Sequence, residues 1–187
     1  MTTQNTTVHA LHDLGAAAWF GGSLMGAIGL NGAANAVTDR TDRTVVSSVG
    51  WAKWAPANAV AIGAHLVGGL AIAIANRDRA AHHRGVRANT IAKTGLTVAA
   101  LATTTYSGVL GVTIAKAGAV SAEGAVKPDA ATPVDVRKAQ QQQRILQWIT
   151  PALTGIIVVL GAQQSEQQRP GRRLAGAVDG LRSRVTG

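Results

Sequence analysis

The sequence predicts an all-α protein, a four-helix transmembrane bundle with a basic amphipathic helix at its C-terminal end. Three observations predict this fold: four long stretches carry no charged side chain, the segments between them are polar, and 47% of the 187 residues are hydrophobic. About 20 helical residues, rising about 1.5 Å each, cross a hydrocarbon core of about 30 Å. We therefore divide the chain into a membrane domain, residues 1–168, and a basic cytoplasmic tail, residues 169–187.

The four charge-free stretches are the predicted membrane spans. They hold 25, 23, 22 and 21 residues, and each is bounded by charged residues. A helix on the surface of a soluble four-helix bundle needs a polar face with charged side chains, and these stretches have none. The predicted spans are residues 14–38, 54–76, 94–115 and 145–165.

The charged residues predict how the chain sits in the membrane. Lys and Arg number 18 against 9 Asp and Glu, and they are spread over all the connections. This spread indicates contact with anionic lipid headgroups rather than with nucleic acid, for which no recognisable binding module is present. Residues 77–93 hold five basic side chains and one acidic one, and the tail adds five Arg. The positive-inside rule then places both termini in the cytoplasm, as in a multi-pass protein of the inner (plasma) membrane.

Two further features fit this topology. Leu174, Val178, Leu181 and Val185 recur at helical spacing among several Arg residues of the tail, which predicts a basic amphipathic helix. Trp51, Trp54 and Trp148 lie near the ends of predicted spans, and we expect their amphipathic rings at the outer headgroup level.

Pairs of small residues four positions apart predict close helix packing, because helices in lipid associate where small side chains let their backbones approach. We expect a tight bundle and a homo-oligomer through the first span. The predicted packing residues are Gly22 and Gly26, Ala64 and Gly68, and Ser107 and Gly111.

His65 is the twelfth of the 23 residues in the second charge-free stretch, which predicts a position at the bilayer midplane. One interpretation is a proton relay or an axial haem ligand. The other is a neutral imidazole that bonds across helices, for example to Asn31 or to residues 103–106. We favour the second, because no acidic partner lies in the spans and no other histidine is predicted at the same depth.

A second group of histidines is predicted near one membrane surface. Imidazole nitrogens are common ligands of divalent metals, so this group is a candidate metal site, with solvated interfacial histidines as the alternative. The candidate ligands are His9, His12, His82 and His83. With no cysteine, catalytic triad or paired acids in the sequence, we expect no cofactor and no enzymatic activity.

Three functional hypotheses remain open from the sequence. The first is a non-enzymatic helix-packing or accessory subunit that binds a second copy or another membrane protein. The second is a haem-binding or metal-binding membrane protein that uses the histidines named above. The third is a small-solute pathway lined by residues 103–106 and His65, which requires a water-filled crevice.

The stretch from His12 to Gly26, with His12-Asp13-Leu14-Gly15 and Trp19-Phe20-Gly21-Gly22, resembles the opening of small uncharacterised multi-pass membrane proteins from actinobacteria. More distantly, the spacing of His12, Trp19 and Gly21 is similar to that in the first helix of copper-resistance D-type membrane proteins. The first resemblance implies a location in the cell envelope and no particular chemistry. The second covers about one span and comes without the methionine-rich features that copper handling implies.

Overall fold

The structure is a computed structural model that describes residues 6–75, 77 and 84–167, with side chains for 6–75, 77 and 87–163. These residues are mostly helical, so the predicted all-α class is confirmed. His82, His83 and the tail with its predicted amphipathic helix lie outside the described residues.

The chain forms one interrupted helical segment and three long helices. The first segment consists of helix α1, one π-helical turn and a short helix α2. The three long helices follow it. The elements are α1 Thr6–Met25, the π-helical turn Gly26–Leu30, α2 Asn31–Asn35, α3 Asp42–Ala75, α4 Arg84–Lys116 and α5 Val134–Gln167.

Three stretches of the described chain are long and apolar enough to cross a membrane: Asp42–Ala75, Arg87–Lys116 and Val134–Gln163. They contain residues 54–75, 94–115 and 145–163 of the second, third and fourth predicted spans and are compatible with a multi-pass membrane protein. The first predicted span, residues 14–38, corresponds to the interrupted segment, and its crossing stays a prediction. Helix α3 begins 12 residues before the second predicted span, and Pro56 lies inside the helix.

Large apolar side chains cover the outside of the bundle, while many polar ones lie inside it. Val60 is 73% exposed, Leu70 64% and Val98 60%. By contrast, His65, Asn31 and other polar residues are buried between helices. This inverted distribution is the one that a hydrocarbon solvent favours, since exposed leucine and valine lose nothing there and unsatisfied polar groups are costly.

Helix α1 packs against α3 and α5, and α4 packs against α5 and more lightly against α3. Gly15 of α1 lies beside Ala61 of α3 and Gly22 lies beside Trp54, so the two helices are antiparallel. The main apolar core joins α1, α4 and α5 and consists of Ala16, Trp19, Ala100 and Ile157. A second core between α4 and α5 consists of Leu110, Ile114, Val136 and Ala139.

An ordered connection closes one end of the bundle. Two short antiparallel strands, β1 Ala122–Gly124 and β2 Lys127–Pro128, form a hairpin in it. The buried Gln140 of α5 donates its amide to the carbonyls of Gly124 and Ala125 at 2.9 and 3.1 Å. These bonds fix the hairpin against α5, because the hairpin carbonyls would otherwise be buried without donors.

Candidate functional site

Two buried histidines meet between α1 and α3, and they form the candidate site. The ring centroids of His12 and His65 are 4.1 Å apart, and the ring planes differ by 20°. His12 Nδ1 lies 2.9 Å from the carbonyl oxygen of His65, and His65 Nδ1 lies 3.2 Å from the carbonyl oxygen of His12. A carbonyl oxygen can only accept, so Nδ1 carries the proton in both rings. The pair is therefore a reciprocal clasp, in which each ring holds the backbone of the other helix.

Side chains of α4 and α1 make further contacts around this clasp. The hydroxyl of Thr97 in α4 lies 3.3 Å from His65 Nε2, which accepts because Nδ1 holds the proton. The indole of Trp19 meets the ring of His65 edge to face, with centroids 6.2 Å apart. Trp19 in turn donates its ring N–H to the hydroxyl of Thr104 at 3.1 Å. The clasp thus links α1 and α3 to α4.

Two glycines allow the close approach that the clasp needs. A Cβ atom at Gly15 would lie 2.5 Å from the carbonyl oxygen of Ala61 and 2.6 Å from the backbone nitrogen of His65. A Cβ atom at Gly68 would lie 2.7 Å from the backbone nitrogen of His12. Any larger residue at either position would separate the helices, because these neighbours are backbone atoms and cannot rotate away.

A charged pair lies at the same level of the bundle. The carboxylate of Asp13 and the ammonium of Lys93 both lie near Gly161 of α5, within 3.5 and 3.9 Å of a Cβ atom built there. These charges bound the first and the third predicted spans, whereas His65 lies in the middle of the second charge-free stretch. The midplane position of His65 stays a prediction.

The structure corrects the prediction that His65 has no histidine at its own depth. The sequence predicts His12 near an interface and His65 half-way through a span, because each depth is inferred from the number of residues to the nearest charges along the same helix. Helix α3 is longer than the charge-free stretch, and its packing brings His65 to the level of His12. The bonds that His65 makes are to Thr97 and to the His12 backbone, not to Asn31 or to residues 103–106.

Parallel rings at this spacing are poorly arranged to bind one ion together. Nitrogen lone pairs lie in the ring plane, so two nearly parallel rings direct them side by side rather than toward one point. Within the part of the chain that the structure describes, no group of three or more His, Asp or Glu side chains could hold a metal ion. His9 is half-buried on α1, and the other two predicted ligands, His82 and His83, lie outside the described residues.

No family model, curated protein or solved structure matches this chain. The resemblances in the opening stretch of the sequence therefore stay predictions. What can be said about function rests on the geometry of the chain itself.

A second polar centre, which the sequence analysis did not identify, lies toward the opposite end of the bundle. The buried Asn31 donates to Gln147 Oε1 at 3.0 Å and accepts from the hydroxyl of Ser47 at 2.9 Å and the indole N–H of Trp51 at 3.1 Å. It joins α2, α3 and α5 just after the π-helical turn. The signal in the sequence is an amide side chain in a charge-free stretch, where a polar group needs partners.

The predicted packing residues divide into two groups. Gly22 and Gly26 contact the indole rings of Trp54 and Trp51, and Gly68 contacts the backbone of His12. The face of Gly22 and Gly26 is thus occupied within the chain, and the homo-oligomer through the first span stays a prediction. The two tryptophans pack against α1, and their place at the outer headgroup level stays a prediction.

The third pair of small residues is left uncovered. A Cβ atom at Gly111 or at the adjoining Gly108 would meet nothing within 4 Å, and Ser107 is only partly buried. These three residues lie within about 100° of one another around α4, at about 100° per residue. Ala64 is partly buried on α3. Among the described residues, nothing covers the Cβ positions of Gly108 and Gly111, and we call Ser107, Gly108 and Gly111 the small-residue face of α4.

Proposed function

We propose that this chain is a four-span integral protein of the inner (plasma) membrane, with both termini in the cytoplasm, that works without chemistry of its own as a helix-packing or accessory subunit. The observation that carries the proposal is the uncovered small-residue face of α4, Ser107, Gly108 and Gly111. A Cβ atom at Gly22, Gly26 or Gly68 would meet another helix, whereas one at Gly108 or Gly111 would meet no described residue within 4 Å.

The membrane location is supported by the outward apolar surface. Val60, Leu70 and Val98 are among the large apolar residues that cover α3 and α4. Monomeric soluble proteins rarely expose apolar surface on this scale, because water makes it costly. The interior is joined by the histidine clasp and the Asn31 centre, as expected where each polar group must find its partner inside the protein.

The role as a subunit is supported by the physics of helix association in lipid. Apolar side chains gain little from leaving hydrocarbon, so close packing of small residues supplies much of the association energy. An uncovered face with two glycines and a serine fits a further transmembrane helix, from a second copy or from another membrane protein. This role is favoured over haem or metal binding, because the nitrogen lone pairs of the stacked histidines do not converge on one ion.

Cysteine cross-linking tests the subunit role, since the chain has no native cysteine to interfere. We expect Ser107→Cys in native membranes to form a disulfide-linked species when iodine, an oxidant that enters the lipid, is added. The matched control is Gly63→Cys on α3, because a Cβ atom at Gly63 also meets no described residue within 4 Å. No cross-link at Ser107, or an equal yield at both positions, would contradict the subunit role.

The membrane location has a separate test. Val60→Cys and Leu70→Cys should resist a water-soluble maleimide in intact membranes, because a thiol in hydrocarbon does not ionise. Thr41→Cys, in an exposed connection near an end of the bundle, should react. Reaction of Val60→Cys at the rate of Thr41→Cys, or release of the chain by alkaline washing, would overturn the proposal.

A further inference from the structure

A large cleft opens between α2, the hairpin and α5, beside the Asn31 centre. Its volume is about 890 Å³, within the range of small-molecule sites. None of His65 or residues 103–106 lines it, so it is not the solute pathway considered from the sequence. We propose that this cleft binds the phosphate headgroup of an anionic phospholipid, an inference that rests on the proposed membrane location.

The charge in the cleft is entirely positive. Lys127 of the hairpin and Arg144 of α5 line it, and no acidic residue does. Both side chains are exposed, and within the described residues neither forms an ion pair. Two cations that face the same space without a counter-ion attract an anion, and arginine matches the geometry of a phosphate group.

The polar part of the cleft offers amide groups as well as charge. Gln141 and Asn35 line it near the cations. The side-chain oxygen of Asn35 accepts from the backbone N–H of Ala125 at 2.9 Å, so its amide N–H groups can point elsewhere. Amide donors beside lysine and arginine suit the several acceptor oxygens of a phosphodiester.

The other part of the cleft is apolar and explains why the ligand is a lipid. Ala27 and Ala152 lie in its wall, together with Ile145 and Trp148, which are 64% and 50% exposed. A soluble phosphate would leave this apolar surface against water. An acyl chain would cover it, and the indole of Trp148 suits the boundary between headgroups and chains.

The position of the cleft along the bundle agrees with this assignment. Arg144 is the last charged residue before the charge-free stretch of α5, and Asn35 lies near the end of the first charge-free stretch. The cations thus lie where the hydrocarbon is expected to end, and the apolar wall continues into it. A phospholipid presents its phosphate and its chains in this same order.

Tryptophan quenching in lipid nanodiscs tests the inference. The probe is phosphatidylglycerol with brominated acyl chains as a minor component of phosphatidylcholine discs, compared with brominated phosphatidylcholine. The signal of Trp148 is the difference between the chain and Trp148→Phe. We expect stronger quenching by phosphatidylglycerol, with apparent affinity lowered about fivefold by each of Lys127→Gln and Arg144→Gln.

Lys53→Gln is the matched control, because Lys53 is an exposed cation of α3 outside the cleft. It should leave the quenching unchanged. Thermal unfolding of each variant checks that the fold is kept, and a variant that unfolds is replaced by the more conservative Arg144→Lys, expected to weaken binding less.

Three outcomes would overturn the inference. Equal quenching by the two brominated lipids would remove the preference for an anionic headgroup. Displacement by soluble glycerol phosphate as effective as by phosphatidylglycerol would assign the cleft to a free phosphate ester instead of a lipid. Failure of the chain to enter nanodiscs would remove the proposed function as well, whereas entry without headgroup preference would remove this inference alone.

Discussion

The rings of His12 and His65 stack across the interface of α1 and α3, and each ring nitrogen Nδ1 bonds to the other residue's backbone carbonyl. This reciprocity sets the register of the two helices, because a shift by one residue would break both hydrogen bonds and the stacking together. The clasp also buries two imidazoles with their Nδ1 protons satisfied.

Replacing His65 by phenylalanine should destabilise the protein by about 1–3 kcal/mol. The substitution keeps a ring of similar shape but removes the bonds to the His12 carbonyl and to Thr97, and it leaves a buried carbonyl oxygen without this donor. Unfolding by added sodium dodecyl sulfate in mild detergent measures the change. His9→Phe, one turn away on α1 and outside the clasp, should alter stability much less. Equal effects of the two substitutions would show that the clasp contributes nothing.

Glycine-to-alanine substitutions on α3 should have opposite effects at two positions. Gly68→Ala should cost about 1–3 kcal/mol, because its Cβ would overlap the backbone of His12 and force α1 away. Gly63→Ala should be neutral or stabilise by up to about 1 kcal/mol, since that position is open and alanine favours a helix. The midpoints of detergent-induced unfolding give both values, and a neutral Gly68→Ala would contradict the close approach described above.

The Asn31 centre predicts that replacing two buried amides, Asn31 and Asn58, has opposite effects on stability. Asn31→Leu should cost about 1–3 kcal/mol, because Ser47 and Trp51 lose the oxygen that accepts from them. Asn58→Leu on α3 should be neutral or stabilising, since the side-chain oxygen of Asn58 is buried with no hydrogen-bond partner among the described residues. Thermal unfolding in one detergent compares them directly. A larger loss of stability in Asn58→Leu than in Asn31→Leu would contradict the different roles of the two buried amides.

Asp129, in the connection that carries the hairpin, should make stability depend on acid pH. The Ser121 hydroxyl donates to its carboxylate at 2.5 Å, and further bonds come from Thr132 and the N–H of Ala131. Hydrogen bonding to the charged form, from Ser121 first, lowers the pKa of Asp129 below its ordinary value of 3.8. A carboxyl group with a lowered pKa stabilises the fold above its ordinary pKa and loses that effect as the pH falls through the lowered one.

The measurement is the unfolding temperature of the chain and of Asp129→Asn as the pH is lowered. The variant should unfold at a lower temperature near neutral pH, and the difference should shrink below about pH 3.8. Glu123→Gln, at an exposed neighbouring side chain, serves as the control. A difference that stays constant over this range would rule out the proposed role of the carboxylate.

Much of the helical architecture could be predicted from where the charges are. Residues 54–75, 94–115 and 145–165 of the charge-free stretches each lie within one long helix, because a run of apolar residues without charges has few other ways to satisfy its backbone. The first stretch is helical too, but it contains a π-helical turn at Gly26–Leu30, which periodicity in the sequence does not reveal. The ordered hairpin was not predicted, since its docking depends on Gln140 and other residues far along the chain.

The candidate site could be predicted only in part. His65 was identified as a buried, bonded imidazole because a polar ring among apolar residues needs partners. Its actual partner, His12, could not be found from the sequence. The two residues are 53 positions apart, and their relative depth depends on how far α3 extends beyond the charge-free stretch.

The sequence by itself determined the helical class and the apolar stretches, since the free energy of moving a side chain from water to hydrocarbon depends mainly on that residue alone. The tertiary structure alone decided at which small residues another helix occupies the space beside the backbone and at which this space is left open. Indole rings lie against Gly22 and Gly26, while a Cβ atom at Gly111 would meet no described residue within 4 Å, although all three belong to the same kind of motif. The physical reason is that packing depends on the shape of the partner helix at that level, and no pattern within one helix contains that information.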